Sequence, residues 1–417
     1  MKHDQGGNLM MRPTLPKSAT STRWIVLFLM SISSLLVVFQ FQSSISINGE
    51  VPVDAILPKR DHQGSVEREL YSSFSACLIT MDDNHFLIEW LAYHWHVLPL
   101  KRLIVAVDPR SRYSPIPVLD RYRGLMEITQ WTDTDFMLRS DFGSNNDTFL
   151  QFFQRQLEFY AKCLGQLKKE GRSWTLLIDT DEFITPNRFA APDFRISNMT
   201  NTTLLAKLEK IQATHVSTMM SSPCVFLPRL RYGTKESSAS EVQQFVPTSI
   251  SGMDFMTLRW RWRAKSAFGK NHPNPHNGQP KGMVNLHYLE DWMVAYGPSL
   301  KRSVDEVVGV HRPVKTMCPE KDRDTIHRHA SFVVHHYPGT LEQWTFRNDG
   351  RSLWTRNKEA YQGLAKRAKK LDNSIRPWLQ DFVQAHGKDL ALRLFQGVGQ
   401  LPTKNDVPNT VSAKQKG

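Results

Sequence analysis

Two carboxylates one residue apart, Asp179 and Asp181, end a nearly all-apolar run in LLIDTDEFI (176–184), and Glu182 follows at once. Hard divalent cations take oxygen ligands, and an Asp-x-Asp delivered by a strand into a turn can meet such a cation directly or through its waters. The same cation accepts diphosphate oxygens and neutralises charge on a departing phosphate group. A bare Asp-x-Asp is more often a solvated turn. Here the apolar strand before it and the Phe183–Ile184 pair after it argue for a held site. His335 and His336 end a second apolar run, HASFVVHHY (329–337), and a neutral imidazole can complete a divalent sphere. Successive strand residues face opposite sides, so at most one of the two points at a metal. Phe332 and Val334 share a face with His336, and Ser331 and Val333 with His335, so the alternation alone does not choose.

The elements around these residues follow from periodicity. FSACLIT (74–80), KRLIVAVD (101–108), LMEITQW (125–131) and SWTLLID (173–179) read as strands. Between the first two, residues 83–98 set Phe86, Leu87, Trp90, Leu91 and His94 on a helical stripe that Pro99 ends. Residues 148–170 predict a long amphipathic helix. Strands alternating with helices predict an α/β domain. The fourth strand is apolar throughout, as a central strand of a mostly parallel sheet would be. Ligands of open α/β sheets bind beyond the carboxyl ends of strands. That edge would carry Thr80, Asp82, Asp83, Asp108, Asp179, Asp181 and Glu182. Further strands are expected over 217–227, 255–263 and 329–337, a loop over 269–282, and mostly helix over 352–395. No glycine-rich phosphate loop is present.

The chain has 417 residues and a formal charge of +13, enough for one large or two modest domains and suggestive of anionic partners. Its four cysteines, Cys77, Cys163, Cys224 and Cys318, are too dispersed for a disulfide-built fold or a zinc knuckle; buried thiols and disulfides both remain open. Residues 24–41 are almost uncharged, with Lys2, Arg12, Lys17 and Arg23 before them. They predict a transmembrane signal-anchor, with 1–23 in the cytosol and the remainder across the membrane. Residues 42–72 would then form a lumenal stem, 73–400 the catalytic domain and 401–417 a disordered tail. Asn146, Asn198 and Asn201 begin glycosylation triplets on the same side.

With these pieces together the chain resembles nucleotide-sugar glycosyltransferases of the A-type fold, close to glycosyltransferase family 92 and its family 2-like relatives. The resemblance spans roughly 74–350 and rests on ITMDDNHFLIEWLAYHWHV, LIVAVD, LLIDTDEFI and FVVHHYPGTLEQWTFRN. It implies a single A-type domain with Thr80 and Glu89 at the nucleotide, Asp108 at uracil or ribose, and Asp179 and Asp181 bracketing metal and sugar diphosphate. It also implies a late histidine ligand, taken as His336. From the residues alone, Glu89 can equally cap or pair within its helix, and Asp108 can be a turn acid. An inverting reaction needs a general base; Glu236 is the candidate, with Asp254 and Glu290 as alternatives. Arg229, Arg231, Arg259, Arg261, Arg263, Lys265 and Lys270, with Trp260 and Trp262, form a basic zone. It fits either a half-buried strand or a diphosphate holder, and nucleic acid is not expected as a partner. The expectation is a Golgi membrane protein, single-pass type II (the endoplasmic reticulum being the alternative). It would use Mn²⁺ or Mg²⁺ to transfer sugar from a UDP-sugar to a glycan or glycoprotein hydroxyl. The rival expectations are an inactive carbohydrate-binding scaffold and a metal-dependent phosphotransferase or hydrolase.

Overall fold

The first apolar runs after residue 73 become parallel strands. β1 (Phe74–Thr80) pairs with β2 (Leu100–Val107) on one side and β4 (Trp174–Leu177) on the other, and β3 (Glu127–Trp131) extends the sheet from β2. This computed structural model describes residues 74–137, 148–188, 223–264, 280–294, 330–346 and 356–403, with a few positions between 190 and 208. All of them belong to one unit, Gly64–Gly417.

Alternation along β1 and β2 builds a core on each face of the sheet. Ala76, Leu78, Leu103 and Val105 join one apolar cluster with helix α1 (Asn84–Val97), which is buried along nearly its whole length. Cys77, Ile104 and Ala106 join the other, with Phe159, Leu164 and Leu167 of helix α2 (Thr148–Lys169). A disulfide between Cys77 and Cys163 fastens α2 to β1. Cys224 is disulfide-bonded as well, and no cysteine among the described residues is free.

The sheet is mixed, which corrects the expected mostly parallel A-type sheet. Its order is β3-β2-β1-β4-β9-β6, and β9 (Lys281–Asn285) runs antiparallel to both β4 and β6 (Cys224–Leu227). A second sheet of three strands, β5-β10-β7, is also mixed. Here β10 (Phe332–His336) lies antiparallel to β5 (Glu182–Pro186) and parallel to β7 (Arg229–Arg231). Its β5 strand is the direct continuation of the Asp-x-Asp turn, so this sheet, absent from the sequence-based topology, frames the site.

The expected strand over 255–263 is a helical turn, Met256–Arg259, and then a two-residue strand, β8 (Trp262–Arg263), paired with β11 (Lys370–Leu371). A distant acid causes the change. Glu89 of α1 accepts hydrogen bonds from Met256 N (2.7 Å), Thr257 N (3.1 Å) and Thr257 Oγ1 (2.5 Å), satisfying the opening amides of a helix rather than of a strand.

Among the described residues no helix is long and apolar enough to cross a membrane. The expected membrane partner, the transmembrane anchor and the type II Golgi or endoplasmic-reticulum location are therefore not supported. The segment 24–41 itself, the cytosolic tail, the stem, the three asparagine triplets, Lys265, Lys270, Cys318 and most of the C-terminal tail lie outside the described residues.

Candidate metal centre

The turn after β4 projects its acids where β5, β10 and β7 meet. Register sets the neighbours: His336 lies opposite Glu182 on one side and Arg231 on the other, and Val334 lies opposite Arg229. The Tyr337 amide donates to the Asp181 carbonyl at 3.0 Å and the Tyr232 amide to the His336 carbonyl at 2.9 Å, closing the sheet around the turn. Ligand atoms of Asp181, Glu182 and His336 consequently lie within 4.8 Å of one another. His336 Nε2 is 3.6 Å from Asp181 Oδ2. Adjacent ligands of a small divalent ion, with bonds of about 2.1 Å, stand about 3 Å apart, so modest contraction would seat one. Two carboxylates and an imidazole form a donor set that could coordinate a divalent metal. The cluster is a potential metal-binding triad.

The three members differ in what already holds them. Glu182 is fully buried; Arg229 Nη1 (3.2 Å), Lys281 Nζ (3.1 Å) and the Asp179 amide (3.0 Å) all reach its carboxylate. Asp181 and His336 keep 15% and 18% side-chain exposure, which leaves them the side open to a ligand. Burial and then the charges of Arg229, Arg231, Arg367 and Lys281 hold the His336 imidazole well below its usual pKa, so it is neutral and its contact with Asp181 is not an ion pair. Burial and the neighbouring Arg229 and Arg367 also bring Arg231 down to about 9. Four cations thus gather around the acids, a field suited to a polyanion.

Asp179 stands outside the triad: Lys281 Nζ lies 2.7 Å from its Oδ2. His335 faces the opposite side of β10, buried, with Nδ1 2.9 Å from the Tyr232 hydroxyl. Thr80 ends β1 with a buried hydroxyl that has no hydrogen-bond partner among the described residues. The β1–β4 register, Cys77 opposite Leu177, carries Thr80 to the level of the Asp-x-Asp turn.

The other expected residues are brought elsewhere. Glu89 caps the Met256 turn, and burial, only partly offset by its three donors, raises it to about 7. Asp108 is buried at the end of β2; burial alone would raise its pKa, but Arg110, paired in two-point fashion at 2.8 and 2.9 Å, and Arg155 at 3.7 Å hold it below the usual value. Glu236 is bound through Oε2 by Arg259, at 2.9 and 3.0 Å, and is not part of the triad. Asp254 has its pKa raised by burial, and Glu290 accepts from Trp292 Nε1 at 2.5 Å. Asp82 adopts a left-handed backbone and accepts from Arg112 N and Nε and from Tyr113 N, fixing the loop after β2.

The basic zone divides in the same way. Arg261 pairs with Glu241 and Arg263 with Asp372, while Trp260 is buried and Lys235 lies over the Trp262 ring. Among the described residues of that zone, Arg229 and Arg231 are the two whose charge acts on the triad's His336. Sequence reasoning missed Lys281, which is fully buried between two carboxylates. A lysine opening the apolar run KGMVNL was its one signal. No family model matches the chain, and no curated protein matches it in sequence.

Proposed function

We propose that the chain is a metal-dependent nucleotide-sugar glycosyltransferase, taking a UDP-sugar as donor, Mn²⁺ or Mg²⁺ as cofactor and a glycan or glycoprotein hydroxyl as acceptor, with inversion. The observation that carries this is the Asp181–Glu182–His336 triad at a strand end inside a ring of cations. The resemblance in motifs supports the choice of donor class. Asp181 and His336 would hold the metal, with Glu182 behind them as the counter-charge to Arg229 and Lys281. The bound metal would supply positive charge to the leaving diphosphate. Arg231 and Arg229 add fixed charge for the same group, available without reorganisation at the moment of reaction. The buried Thr80 hydroxyl offers a hydrogen bond at the nucleotide side. Asp108 serves there by orienting Arg110. Glu236 retains Oε1 for an acceptor proton while Arg259 fixes Oε2.

The test is UDP release from a panel of UDP-sugars by the full chain with Mn²⁺. Asp181→Asn should lower turnover at least about a hundredfold with an unchanged circular-dichroism spectrum. Release from no donor, or equal release by wild type and variant, would sink the proposal; UDP binding without release would favour the carbohydrate-binding scaffold.

A further inference from the structure

The small sheet has a second face. β10 turns His335 and Val333 away from the acids, and register sets Leu230 of β7 opposite His335. Leu230 and Val333 form an apolar pair of their own, apart from the two main cores. A cavity of about 310 Å³ lies against them, lined also by His335, Arg263 and Asp372. That volume is at the lower end for small-molecule sites.

The polar groups of this cavity have capacity left. His335 is 1% exposed, and its Nδ1 is engaged by the hydroxyls of Tyr232 (2.9 Å) and Tyr337 (3.3 Å). Its Nε2 makes no hydrogen bond among the described residues, and the ring lines the cavity. In either tautomer Nε2 keeps one hydrogen bond for a ligand hydroxyl, as donor or as acceptor. Asp372 is fixed by Arg263 Nε (2.6 Å), the Ser374 amide (3.0 Å) and the Ser374 hydroxyl (2.6 Å), and a carboxylate has further lone pairs for a ligand hydroxyl. With Asp372 matched by Arg263, the exposed Arg188 adds a positive charge to the lining.

We propose that this cavity binds a hydroxyl-rich, singly anionic small molecule about the size of one sugar ring. Leu230 and Val333 receive the ring face, His335 and Asp372 its hydroxyls, and Arg188 the anionic group. The proposal stands apart from the metal reading, because the two sites use opposite faces of the sheet.

Glucuronate is the probe, titrated calorimetrically into the full chain. Saturable binding is expected, weakened at least about tenfold by Arg188→Ala and abolished by Asn373→Trp, an exposed lining position where the indole fills the opening. Both substitutions are at the surface and leave the core intact. Asp181→Asn, on the other face, should bind glucuronate as the wild type does, and neutral glucose and inorganic phosphate should each bind more weakly. Absence of saturable binding, indifference to Arg188→Ala and Asn373→Trp, loss in Asp181→Asn, or phosphate binding as tight as glucuronate would each overturn the assignment.

Discussion

Lys281 lies between Asp179 and Glu182 with no exposure, 2.7 and 3.1 Å from their oxygens. A buried cation is tolerable only while paired, and removing it strands the acids it served. Lys281→Met should therefore lower the free energy of unfolding by about 3–5 kcal/mol, measured by denaturant titration; a loss below about 1 kcal/mol would show that Arg229 alone suffices. Glu89 sets a pH dependence of opposite origin. Its folded-state pKa is raised, from 4.5 to about 7, so its contribution is complete below the unfolded value and is lost as pH rises through about 7. The span corresponds to roughly 3 kcal/mol. Glu89→Gln should match the wild type in melting temperature at acidic pH and exceed it at mildly alkaline pH. A wild type that melts higher at alkaline pH would show that the three donors from Met256 and Thr257 outweigh burial.

At the scale of elements, β1, α1, β2 and α2 were legible because their apolar periods are long and self-contained. The helix expected over 83–98 is Asn84–Val97, and that expected over 148–170 is Thr148–Lys169. The Met256 turn was not legible, because its cause, Glu89, is far away in sequence and the local run FMTLRWRWR carries strand-like alternation. Strand β9 was missed altogether, its first two residues, Lys281 and Gly282, falling within the loop expected over 269–282. The histidines were ambiguous because their faces are set by pairing with β5 and β7. The link between elements most open to test is the disulfide from β1 to α2, whose cysteines are 86 residues apart. Closing so long a loop restricts the unfolded chain, and its loss typically costs about 2–5 kcal/mol. Cys163→Ser should lower the melting temperature, and a reductant should shift the wild type downward but not the variant by the same route.

For the molecule as a whole, the +13 charge is unevenly used. Arg102, Arg155, Arg261 and Arg263 are committed to acids of the scaffold, whereas Arg229, Arg231, Lys281 and Arg367 converge on one corner. Among the described residues, Arg229, Arg231 and Lys281 of these four face the carboxylates of Asp179, Asp181 and Glu182. A cation that binds only the folded state stabilises all of it, by about 2.7 kcal/mol at a hundredfold excess over Kd. Mn²⁺ should therefore raise the melting temperature of the wild type and leave Asp181→Asn unmoved. An equal rise in both would place the ion elsewhere.

The strand that separates the two faces of the small sheet is written in doublets, Val333-Val334 and His335-His336. Slid by one position against its neighbours, β10 would still present a valine and an imidazole to each side. A one-residue slip normally exchanges unlike side chains and is punished by their burial; here the middle of the strand is almost its own mirror under that slip. The alignment must be decided by its ends. Phe332, opposite Pro186, and Tyr337, whose buried ring stacks on Tyr232, are the unlike neighbours that break the tie. A chain altered at those two positions could keep every histidine and still assemble with the wrong one at the acids.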